Sequence, residues 1–90
     1  MDVGLQMKKY QDALLHRIDA LCTERNLSYY TLSYKAGVPL STVLNIKKGV
    51  SKNPGIITIM KLCDGLGITM KEFFDSEEFE AAIVESRDDK

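Results

Sequence analysis

Residues that end helices cut this chain at short intervals, and the stretches between them carry apolar side chains at helical spacing rather than in alternation. From about Met7 to Arg25, Leu14, Ile18, Leu21 and Cys22 recur at i, i+4, i+7 and i+8, one stripe of a helix. Asn26 follows, a residue that tolerates the left-handed backbone of a helix end. Ser28 is a suitable N-cap for a second helix to about Ala36, which Gly37 closes without a Cβ penalty. Pro39 opens a third helix to about Lys48, its missing N–H costing nothing in the first turn, and Gly49 closes it. After the loop VSKNP, a fourth helix from about Ile56 to Leu66 is expected to turn Ile56, Ile59, Leu62, Cys63 and Leu66 inward. Thr69 and Glu72 have capping-box spacing for a short fifth helix ending at Phe73 and Phe74. Asp75 to Glu78 can cap a last helix whose apolar face is Phe79, Ala82 and Ile83. No stretch reads as a strand, so the expectation is an all-α fold of five helices with a short extra C-terminal one.

With 90 residues the chain is one domain. Its helical core is expected over 10–74, with an acidic helix or tail over 75–90. The run Ile56 to Met60 is far shorter than the ~20 residues of a membrane span, and MDVGLQMKKY contains no apolar signal segment. Two cysteines, Cys22 and Cys63, both on inward stripes, suit small core side chains and a reducing cytoplasm better than a disulfide framework. A single histidine, His16, reads as a surface helix residue, and no nucleophile, base and orienting group assemble. The chain is therefore read as a non-enzyme with no metal, cofactor or small-molecule ligand. Tyr30 and Tyr34, at i and i+4, can form a partner surface, but half-buried packing is the favoured expectation.

The overall charge of −1 conceals a segregation. Residues 28–61 hold Lys35, Lys47, Lys48, Lys52 and Lys61 and no acid, whereas residues 62–90 hold nine acids against three bases. An acid-free central segment points toward a polyanion such as nucleic acid. The acidic end is either a solvated face or a partner-contact helix.

Two short helices at 28–36 and 39–48, joined around Gly37, make a helix-turn-helix, with Val38 plugging the crossing and Leu32, Val43 and Ile46 facing the core. The stretch NLSYYTLSYKAGVPLSTVLNIKKG, the SKNP loop and the closing KLCDGLGITMKEFF resemble the lambda-repressor/Cro (XRE) family of helix-turn-helix DNA-binding domains over about residues 14–74. The resemblance implies that the third helix lies in the major groove of double-stranded DNA and presents Leu40, Ser41, Leu44 and Asn45 to base edges. Asn45 suits adenine bidentately and Leu40 a thymine methyl. Phosphate contacts are implied for Ser28 and Tyr29 at the second helix start, and for Lys35, Lys47, Lys48, Lys52 and Asn53. Many family members carry Gln where this chain has Tyr29 and Leu40. Ser33 stands in place of a usual buried alanine and is expected to bond back to its own helix.

The function implied is a sequence-specific transcriptional regulator, a repressor, binding a two-fold operator as a homodimer. Ile57, Phe79 and Ile83 are candidates for the dimer interface, although Phe79 and Ile83 can equally fold back on their own domain. The alternative is a protein-interaction adaptor or antitoxin-like partner on the same scaffold.

Overall fold

The computed structural model describes residues 3–51 and 53–86, with side chains from 8 to 84 apart from 52. It is all-α among those residues: α1 Val3–Glu24, α2 Tyr29–Ala36, α3 Leu40–Lys47, α4 Ile56–Leu66, α5 Met70–Phe74 and α6 Glu77–Ser86. No helix is long and apolar enough to cross a membrane.

The helix ends sit where the local chemistry places them. Ser28 Oγ accepts from the Thr31 N–H at 3.0 Å and caps α2. Gly37 at φ 68 ends α2, letting the Val38 N–H reach back to Ser33 O at 3.0 Å. Asn26 at φ 54 does the same work after α1, its following residue Leu27 donating to Cys22 O at 2.8 Å. Thr69 and Glu72 form the reciprocal capping box that opens α5. Pro39 is the N-cap of α3 rather than its first helical residue, because its ψ of 141 is extended while its carbonyl already accepts from Thr42 and Val43.

The helices close around Leu32, Val43, Leu62 and Phe73, all fully buried, with Ile18, Leu21, Cys22, Ile46, Ile59, Cys63 and Leu66 around them. α2 packs on α3 and α4, while α1 runs along α6 and reaches α3. The α2–α4 crossing depends on Gly65. A Cβ there would stand 2.8 Å from the Ala36 backbone nitrogen and 2.9 Å from its Cα and Cβ. The small side chain of Ala36 thus serves a contact with the fourth helix.

Two arginines from α1 tie down distant helix ends. Arg17 donates from Nε to Phe73 O and from Nη2 to Glu72 O, each at 2.7 Å, and Arg25 Nε donates to Leu66 O at 3.0 Å. Both reach carbonyls in the last turns of α5 and α4, where backbone donors run out, although Glu72 O also accepts from the Asp75 N–H at 3.3 Å.

Three expectations require correction. Ile56 is not buried but 57% exposed, at the edge of an apolar groove that it shares with Phe74, Phe79 and Ile83. Tyr30 and Tyr34 are not half-buried but 69% and 82% exposed. The inward stripe of α2 is Tyr29, Leu32, Ser33 and Ala36, spaced i, i+3, i+4 and i+7, so positions 30 and 34 face the other way. The third concerns α6: Ala82 is buried and Phe79 is partly buried against the core, but Ile83 remains 41% exposed. Ser33 is buried with its hydroxyl donating to Tyr30 O at 2.6 Å, as its helical position suggests.

Candidate nucleic-acid interface

The outer side of α3 collects the side chains expected to meet bases. Val43 and Ile46 are buried and hold the helix to the core. That leaves Ser41 and Asn45 exposed one turn apart, flanked by the half-buried Leu40 and Leu44. α3 contains no acidic residue. Beyond its end the chain is anchored to the same helix: Gly49 donates to Ile46 O at 3.1 Å, and Val50 and Ser51 both donate to the carbonyl of Asn45, at 2.9 and 3.0 Å. The loop thus starts from a fixed point on the backbone of Asn45.

A family model described as the Cro/C1-type HTH DNA-binding domain matches residues 17–78. The chain belongs to this family. No curated protein and no solved structure matches the chain. The matched stretch runs from Arg17, which reaches α5, to the first turn of α6, and so includes the whole helix-turn-helix.

As a Cro/C1-type DNA-binding domain, the molecule needs cations and free N–H groups near the recognition helix. Lys47 and Lys48 at the end of α3 and Lys35 in the last turn of α2 are exposed, and none is ion-paired among the described residues. Asn53 is exposed in the following loop, and Lys52 lies outside the described residues. At the start of α2, Ser28 Oγ serves Thr31 and the Ser28 carbonyl serves Leu32. The N–H groups of Tyr29 and Tyr30, in the first turn of α2, have no intrahelical acceptor, and a helix start of this kind favours an anion.

Tyr29 is placed differently from a free phosphate ligand. Its ring packs against the core, its hydroxyl donates to Asp19 Oδ1 at 2.5 Å, and Lys47 Nζ lies 5.1 Å from the ring centroid. Burial first, and then the bond to Asp19, push the phenol well above its ordinary value. Tyr29 thus joins α1 to α2 and steadies the Lys47 cation through its ring face. Asp19 is a carboxylate brought beside the basic segment from α1, a proximity that no reading of residues 28–61 alone contains. Cys22 and Cys63 are buried thiols held above their ordinary value by that burial, as core side chains rather than reactive ones.

Of the three residues considered for pairing two copies, Ile57 and Ile83 are exposed and Phe79 is partly buried. Ile57 is 61% exposed on α4. Phe79 turns into its own domain, with ring centroids 5.9 Å from Phe73 and 5.1 Å from Phe74. It is Ile56 rather than Ile57 that joins Phe79 and Ile83, with Tyr10 and Leu14, along an apolar groove of about 590 Å³.

Proposed function

We propose that this Cro/C1-type chain is a transcriptional repressor that reads a two-fold operator as a homodimer, with α3 of each copy in a major groove. The observation that carries the reading is the acid-free outer side of α3, where Ser41 and Asn45 project between two leucines and the lysines at the helix end have no ion-pair partner among the described residues. In that pose Leu40, Ser41, Leu44 and Asn45 face bases, while Lys47, Lys48, Lys52, Asn53 and the open start of α2 at Ser28 and Tyr29 face phosphates. Lys35 adds to the positive field from the far end of α2. A single domain of this size covers only one half-site, so two copies joined through the exposed apolar side chains of α4 and α6, Ile57 and Ile83 among them, supply the specificity of a full site.

Titration of the full chain with genomic DNA fragments over a range of salt tests this. Affinity should fall by about 0.9 log unit per log unit of salt for each phosphate neutralised, and Lys48→Ala should shallow the slope for every fragment alike. Absence of binding at low salt, or binding indifferent to salt, would instead support an adaptor or antitoxin-like role, for which the apolar groove is the available contact surface.

A further inference from the structure

We infer that the half-site read by α3 is built of A·T pairs, recognised through thymine methyl groups packed on Leu40 and Leu44 beside an adenine held by Asn45. This inference rests on the proposed placement of α3 in the major groove. Leu40 and Leu44 are one turn apart and half-buried, forming a short apolar strip that Ser41 and Asn45 border. Of the groups displayed in the major groove, only the thymine C5-methyl is apolar; guanine shows two acceptors and cytosine an amino donor. A leucine strip pressed on guanine or cytosine dehydrates those polar edges without replacing their hydrogen bonds, and so selects against them.

Among the described residues, no arginine, the side chain whose fork best fits guanine, is free to reach this face. Arg17 and Arg25 are engaged with the carbonyls of Glu72, Phe73 and Leu66 on other helices. Lys47 lies over the Tyr29 ring, and Lys48, exposed at the C-cap of α3 nearly one turn after Asn45, is assigned to phosphate in the proposed pose. The remaining amide, Asn45, carries the donor and acceptor pair that fits adenine.

The experiment selects duplexes from a random-sequence library with the full chain, then replaces each thymine of the selected half-site by deoxyuridine. The exchange keeps base pairing and removes only the methyl. The expected half-sites have consecutive A·T pairs at their contacted positions, and affinity should fall about fourfold for each methyl that packs on a leucine. The Leu44→Ala or Leu40→Ala chain should no longer distinguish thymine from uracil at one position, whereas Asn45→Ala should keep that distinction. The uracil comparison needs no variant protein, so it stands even if a leucine variant is poorly folded. Selected half-sites with G·C at the contacted positions, or equal binding of uracil-containing duplexes, would overturn the inference while leaving DNA binding by α3 in place. Recovery of no duplex at any salt would overturn the placement of α3 and this inference with it.

Discussion

At the scale of single residues, the outer side of α3 separates stability from recognition. Asn45 is exposed, and its helix is held by Val43 and Ile46. Asn45→Ala is therefore expected to leave the melting temperature within the change that ~0.5 kcal/mol produces, while specific affinity falls by about 1–3 kcal/mol and preference relaxes at one symmetric base position. Non-specific binding, which the proposal assigns to the lysines, should barely change. Calorimetric melting beside competition binding with selected and random duplexes measures the two effects separately. Tyr29 shows the opposite balance. Its phenol is held above the ordinary value of about 10, so the neutral form is the one that folding favours. Its contribution is fully present below about pH 10 and is lost as pH rises through the raised folded-state value. Urea unfolding across pH 7 to 11 should show the Tyr29→Phe chain less stable at neutrality but with a shallower alkaline decline. Parallel declines in the two chains would mean that the bond to Asp19 contributes nothing to the alkaline limit.

At the scale of helices, the boundaries were legible because each is written in a few adjacent residues: Ser28 with Thr31, Gly37 with Val38, Thr69 with Glu72. What holds the helices together was not legible in the same way. The bonds from Arg17 and Arg25 span 56 and 41 residues of chain, and as sequence they were only two more charges in a balanced segment. Gly65 was equally silent, a glycine inside a helix with no turn to announce its purpose. Its role makes a prediction with competing signs. Gly65→Ala improves helix propensity by about 1 kcal/mol, yet the new methyl would lie 2.8 Å from the Ala36 backbone. Backbone cannot rotate away as a side chain tip can, so the overpacking term should win and denaturant unfolding should show a net loss of about 1–3 kcal/mol. Ala36→Gly should give little rescue, because the Ala36 nitrogen and Cα remain in place. The carbonyls that receive Arg17 invite a second test. Arg17→Lys keeps the charge but cannot serve Phe73 and Glu72 with the same planar fork, so its thermal stability should lie closer to that of Arg17→Ala than to the parent chain.

At the scale of the whole molecule, charge and packing follow different divisions of the chain. Residues from 75 onward stand out as acidic, which suggested a solvated face or a contact for a partner. In the structure Glu77, Glu78 and Glu80 occupy the first turn of α6, where negative charge favours the helix dipole. α6 also lies along α1, buries Ala82 and sets Phe79 against Phe73 and Phe74. Removing residues after Phe74 should thus lower the melting temperature appreciably, besides any effect on association. Sedimentation and thermal melting of both chains at the same concentration separate these consequences: a shortened chain as stable as the parent would mean that α6 adds nothing to the core. The candidate site was legible in its residue types on α3, which lie close together in sequence. The Asp19 carboxylate beside Tyr29, and the substitution of Ile56 for Ile57 in the apolar groove, depend on three-dimensional proximity that spacing alone does not encode.

The carbonyl of Asn45 accepts both Val50 and Ser51, and that bond belongs to the backbone, whatever side chain the residue carries. If α3 lies in the groove as proposed, the position can change its reading of DNA through successive substitutions while the loop behind it keeps its place. In that pose a lineage of such domains is free to drift toward new operators one side chain at a time, without rebuilding the frame proposed to carry the phosphate contacts.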